Sequence, residues 1–173
     1  MNDDSGEVKA DGVDPVDTNR ASVARAYDFV LGGKDNYEAD RKFAERILQH
    51  DPEVRLTAHL NKEFGRRVVD HLARQGIRQF LDLGSGIPTS PPSVHDTARR
   101  VRDEARVVYV DHDPVVAAHN RALRVIGPGL AVIQDSFLNI DGILGQEDFK
   151  SNIDLAEPVG VLFFSVLQAV PTD

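Results

Sequence analysis

The chain of 173 residues contains no cysteine, which excludes a disulfide framework, a thiolate zinc site and a catalytic thiol. It has no apolar run near the roughly 20 residues that a membrane helix requires. Its first residues are acidic, unlike the basic start of a secretory signal. A cytoplasmic, reducing location fits these absences. Positive charge is also scarce: 20 Lys and Arg stand against 28 Asp and Glu, for a net −8. That balance argues against a nucleic-acid backbone as the main partner, and the arginine pairs at 66–67 and 99–100 read as solvated helix faces. Residues 1–17 hold six acids and one lysine, so −5 of the −8 sits in a segment too polar to bury itself. It reads as a disordered acidic tail.

What remains has room for one domain. Residues 18–76 follow a helical period throughout. Thr18 or Asn19 is placed to cap a first helix over 21–31, ended by Gly32 and Gly33. Asp35 or Asn36 starts a second over 37–50, and Pro52 opens a third that Gly76 closes. The period then changes. Residues 77–83, 106–111, 130–135 and 159–167 are short β-branched or aromatic runs without polar alternation. Such runs suit strands buried on both faces. Helical patterns over 93–105 and 114–127 separate the first three. The expectation is an α/β fold of the Rossmann-like, doubly wound parallel type, preceded by a helical region that forms a lid or cap. The sequence stops six residues after the fourth run, so the sheet is expected to be incomplete at its C-terminal side.

In such sheets ligands sit at the carboxyl ends of the strands. The stretch FLDLGSGIP (80–88) supplies Asp82, Gly84, Ser85 and Gly86 there, and Asp111 ends the second strand 25 residues after Gly86. The glycines allow close backbone approach and positive φ, while an acid at the second strand accepts from two ribose hydroxyls. A plain strand–helix turn is the alternative for the glycines. A dinucleotide fingerprint needs a third glycine and an immediate helix N-terminus for the pyrophosphate. Here position 89 is Thr, and Pro88, Pro91 and Pro92 delay the next helix to about Ser93. Asp82 would also repel a diphosphate. A carboxylate beside the turn suits a cationic ligand, S-adenosylmethionine, better than NAD.

The stretches ARAYDFVLGGKDNYEADR (24–41), RQFLDLGSGIPT (78–89), VHD (94–96), ARVVYVDHDPVVAAHNRAL (105–123) and PVGVLFFSVLQAVP (158–171) carry a family resemblance. The chain resembles the actinobacterial S-adenosylmethionine-dependent methyltransferases formerly called domain of unknown function 574. The resemblance implies the class I methyltransferase architecture with S-adenosylmethionine as cofactor. It implies that Asp82, Gly84 and Gly86 border the methionine portion, that Asp111 holds the ribose and that His112 lies beside the adenine. The family stretch after the third strand reads like Q-A-D-L, whereas this chain has Gln134-Asp135-Ser136-Phe137. The acid is one place early, so alternation along the strand turns Asp135 away unless the loop adjusts, with Ser136 a weak substitute. Gln168 stands where the family tends to carry His, and Gln cannot handle a proton. Ser165 follows the fourth strand and joins the candidate site.

Tyr27, Gly32 and Gly33 form a lid over the cofactor or, equally, a helix C-cap with Tyr27 in the core. Gly33-Lys34 looks like a phosphate loop only superficially, because positions 28 and 35 are both Asp. Asp111, His112, Asp113 and His119 converge poorly for a metal, and Asp113 suits the N-cap of the helix opened by Pro114. The leading reading is a methyltransferase acting on a small-molecule acceptor, or its cofactor-binding portion. The alternatives are a non-catalytic truncated fragment or binding module, which would dimerise through its exposed fourth-strand edge, and a nicotinamide-dependent oxidoreductase.

Overall fold

The computed structural model describes residues 17–89, 91–124 and 127–167. The expected acidic tail, apart from Asp17, and Gln168 lie outside them. Three helices lead: α1 (Val23–Val30), α2 (Glu38–His50) and α3 (Val54–Arg74). Then follow β1 (Gln79–Leu83), α4 (Val94–Arg99), β2 (Arg106–Asp111), α5 (Pro114–Leu123), β3 (Leu130–Gln134), α6 (Ile140–Gly145), α7 (Glu147–Lys150) and β4 (Gly160–Leu162).

The strands form one parallel sheet in the order β3-β2-β1-β4. The order reverses between β1 and β4, which puts the ligand crevice of an open α/β sheet above their carboxyl ends. Both faces are covered, as the unbroken apolar runs require. Phe80, Val107, Tyr109, Val132 and Leu162 face Val69 and Ala73 of α3, Ala98 of α4 and Ala117 of α5. Leu81, Leu83, Val108, Val110 and Ile133 face Ile143, Phe149 and Ile153. A third cluster joins Ala26 and Val30 of α1 to Ala44 and Ala58. Helix α3 therefore packs on the leading helices at one end and on the sheet at the other.

Several boundaries differ from the sequence expectation. Helix α1 starts after Ser22, not Thr18 or Asn19, because the cap comes from elsewhere. The Ser22 amide donates to Asp40 Oδ1 (2.8 Å). Asp40 Oδ2 accepts from the Tyr37 amide (2.8 Å), which starts α2 there rather than at Asp35 or Asn36. One buried carboxylate thus satisfies orphan amides of two helices. Helix α4 is much shorter than the 93–105 pattern. It opens with Ser93, whose Oγ accepts from the Asp96 amide while Asp96 returns to the Ser93 amide (2.8 Å). The fourth strand keeps only three residues of the 159–167 run. Its two phenylalanines leave the ladder to pack edge-on, Phe164 against Phe64 and Phe163 against Phe137. Among the described residues no helix is long and apolar enough to cross a membrane.

Candidate active site

A cavity of about 180 Å³ opens at the carboxyl ends of β1, β2 and β4, far larger than the roughly 10–15 Å³ that holds one water. Its wall includes Gly84, Ser85 and Gly86 after β1, Asp111 and His112 after β2, Phe137 after β3, and Ser165 after β4. Tyr27 and Asp28 of α1 and Asn61 and Lys62 of α3 close it from the side of the leading helices. Asp82 and Arg124 border it as well.

The glycine turn is held from beneath. Gly84 and Ser85 amides both donate to the Val110 carbonyl (2.9 and 3.0 Å). Asn120, fully buried on α5, donates from Nδ2 to Ser85 Oγ (2.9 Å) and to the Gly86 carbonyl (3.3 Å). Asp111 Oδ2 accepts from the Gly86 amide (3.0 Å), and its Oδ1 accepts from the Asp113 amide (3.1 Å). Each oxygen keeps a further lone pair. Burial raises its pKa, against the opposing pull of those two backbone amides. His112 stands exposed at the rim, its Nδ1 3.7 Å from Asp111 Oδ1.

The two glycines do different work. Gly84 (φ +71°) leaves no space for a side chain, since a Cβ there would lie 2.2 Å from Val166 Cγ1. Gly86 (φ +61°) faces open space. Alanine at either position adopts a left-handed conformation at about 1–2 kcal/mol. Gly84→Ala is therefore expected to lower the unfolding midpoint further, through the Val166 clash. Gly86→Ala is expected to lose about 1–2 kcal/mol of stability yet place a methyl group in the cavity. Urea melts of the two variants check the contrast; equal losses would contradict it.

Asp82 is 6% exposed. Burial raises its pKa to about 6; Arg124 opposes the shift, the nearby Asp111 charge adds to it, and Lys62 opposes it again. Among the described residues no hydrogen bond contributes. Lys62 is pushed down to about 8 by burial first, then by Arg124 and Arg66.

Not every expected residue arrives here. Gly32 and Gly33 do not line the cavity. They end α1, the Gly33 amide donating to the Asp28 carbonyl (2.8 Å), and a Cβ on Gly33 would lie 1.9 Å from Asp28 Oδ1. Tyr27 borders the cavity, packs against the core of the leading helices, and donates its hydroxyl to the Ala58 carbonyl (3.1 Å). Asp135 and Ser136 are also outside. Asp135 accepts from the Ser136 amide (2.7 Å) and from Asn139 Nδ2 (3.2 and 3.1 Å), which commits it to the loop before α6. Ser136 Oγ accepts from the Leu138 amide (3.3 Å). The one-place shift is thus not absorbed by the loop.

Sequence reasoning missed Arg25. It is 4% exposed and bridges Asp40 (2.9 Å) to Asp113 (3.1 Å). Asp113 meanwhile caps α5 by accepting from the Val115 amide (2.9 Å). Among the described residues no three His, Asp or Glu side chains converge on a metal position; His119 lies 3.7 Å from Asp35 instead.

No curated protein matches the chain, but two crystal structures do. One is of a candidate methyltransferase from Thermobifida fusca, at 42% identity and TM-score 0.80, over 83% of this chain and 54% of that one. The other is of a domain of unknown function 574 family protein from Streptomyces avermitilis, at 37% identity and TM-score 0.80, over 85% of this chain and 57% of that one. The chain thus spans a little over half the length of each. A family model described as S-adenosyl methyltransferase matches residues 9–173. The chain belongs to that S-adenosyl methyltransferase family, and its four-stranded parallel α/β sheet matches those two structures in fold.

Proposed function

We propose that the cavity at the β1–β4 switch point binds S-adenosylmethionine, and that the methyl group goes to a small-molecule acceptor. The observation that carries this reading is the pair of acids around the glycine turn. Asp111 keeps spare acceptor capacity for ribose, and Asp82 offers a buried carboxylate that meets no hydrogen-bond donor among the described residues. The residues fit the cofactor. Gly84 to Gly86 present backbone to it, His112 and Phe137 flank the adenine, and Tyr27 and Ser165 close the sides. Asp82 receives the ammonium of the methionine portion.

The cofactor supplies an activated methyl group on a sulfonium. The chain's contribution is alignment and exclusion of water: a preformed cavity fixes the donor, so that little orienting entropy remains to be lost at reaction. A lid role for residues 18–76 belongs to the same reading, because α1 and α3 supply one wall and Tyr27 and Asn61 tie them together (3.2 Å).

Isothermal titration of the folded chain with S-adenosylhomocysteine tests the proposal. Saturable binding at micromolar cofactor is expected, with no response to NADH. Absence of heat at high micromolar concentration would sink it.

A further inference from the structure

The cavity wall includes a cation that, among the described residues, no acceptor neutralises by hydrogen bonding. Arg124 follows α5, is 7% exposed, and lays its guanidinium over the Tyr109 ring at 4.7 Å. Its Nε and Nη1 are buried and meet no acceptor. Buried guanidinium N–H groups normally find one. Lys62 borders the same cavity from α3, and the Arg124 charge disfavours that of Lys62. Asp82 offsets part of that repulsion at both cations, and Asp28 offsets part of it at Lys62, but among the described residues neither carboxylate hydrogen-bonds the Arg124 guanidinium. The stacked Tyr109 face steadies the guanidinium without accepting its hydrogen bonds, and the Tyr109 hydroxyl is committed to His95 (2.8 Å to Nδ1).

We propose that Arg124 and Lys62 form a carboxylate-binding subsite in the cavity wall. A planar guanidinium with free N–H groups matches a carboxylate in geometry as well as charge. The carboxylate comes either from the methionine end of the methyl donor or from the acceptor. The first source rests on the cofactor reading above; the second does not. With Asp82 beside the pair, an amino-acid zwitterion meets complementary charge at both of its ends.

The test compares S-adenosylhomocysteine with 5′-methylthioadenosine, which lacks the amino-acid end, by titration calorimetry on the wild-type chain, Arg124→Met and Lys62→Met. If the donor supplies the carboxylate, each variant loses at least tenfold in affinity for S-adenosylhomocysteine and stays within twofold for 5′-methylthioadenosine. If the acceptor supplies it, S-adenosylhomocysteine affinity holds. Binding of benzoate, but not of benzamide, to the wild-type chain then disappears in Arg124→Met. Should Arg124→Met fail to fold, the less buried Lys62→Met carries the comparison. If the wild-type chain binds neither adenosine ligand, the cofactor reading fails, and loss of benzoate binding in the variants still decides the subsite. Unchanged affinities for S-adenosylhomocysteine and benzoate in the folded variants would overturn the proposal.

Discussion

Replacing Arg25 by Met is expected to cost about 3–5 kcal/mol of unfolding free energy, the range for stripping one partner from a buried ion pair. The lower half of that range is the more apt, because Asp40 and Asp113 keep backbone donors after the change. Three features make Arg25 so sensitive. It is almost fully buried; it contacts two carboxylates; and its Nη2 also donates to the Arg20 carbonyl (2.7 Å). Arg25→Lys keeps the charge and loses the fork, so an intermediate loss is expected. Urea unfolding reads the effect as a lower midpoint at unchanged slope. A change within about 0.5 kcal/mol, the usual scatter of surface substitutions, would show that the bridge is not structural. The consequence reaches the cavity. Arg25 pins α1, which carries Tyr27 and Asp28, to the turn that follows Asp111.

Asp82→Asn is expected to make the free chain more stable while removing cofactor affinity. The folded pKa of Asp82 is raised to about 6 from an ordinary 3.8. The folded state therefore holds this proton more tightly than the unfolded state does. Below pH 4 both states are protonated and the group contributes nothing. Between about 4 and 6 the unfolded chain ionises first and stability falls. Above 6 the full penalty is present, on the order of 3 kcal/mol from a shift of about two units. Asparagine removes it, so the stability gain of the variant should appear at neutral pH and vanish below pH 4. Binding moves the other way. A ligand ammonium needs the ionised carboxylate, so wild-type affinity for S-adenosylhomocysteine should weaken below pH 6 by up to about tenfold per unit. The variant should show little of that dependence and bind about 30- to 150-fold more weakly at pH 7, a loss of about 2–3 kcal/mol. A flat wild-type pH profile, or unaltered affinity in Asp82→Asn, would remove Asp82 from the site. Stability traded for binding in one residue marks a site kept for function.

What the sequence disclosed follows from how far apart the interacting groups lie along the chain. The glycine turn, Asp82 and Asp111 were legible because strand ends present them in a fixed relation to the crevice. The cap at Asp113 was legible because its partner, the Val115 amide, is two residues away. Arg25 was not, because its two carboxylates lie 15 and 88 residues away. The start of α1 was misplaced for a related reason: the carboxylate that satisfies the Ser22 amide is Asp40, 18 residues on. Asn120 and Arg124 sat in an ordinary amphipathic pattern, and only the fold reveals that one buttresses the turn and the other reaches the cavity. The fourth strand was drawn too long because Phe163 and Phe164 carry strand propensity, while tertiary packing takes them out of the ladder. Asp135 shows the reverse case. Its displacement by one place was visible in the sequence, and in the structure its carboxylate accepts from the Ser136 amide and from Asn139.

The central claim is that one cavity holds the methyl donor between Asp82 and Asp111. A crystal structure of the chain grown with S-adenosylhomocysteine tests it most directly. The predicted result is a ribose within hydrogen-bond distance of Asp111, with the amino-acid end directed to Asp82. Adenosine density elsewhere on the molecule, or a cavity filled only by solvent at saturating ligand, would contradict it.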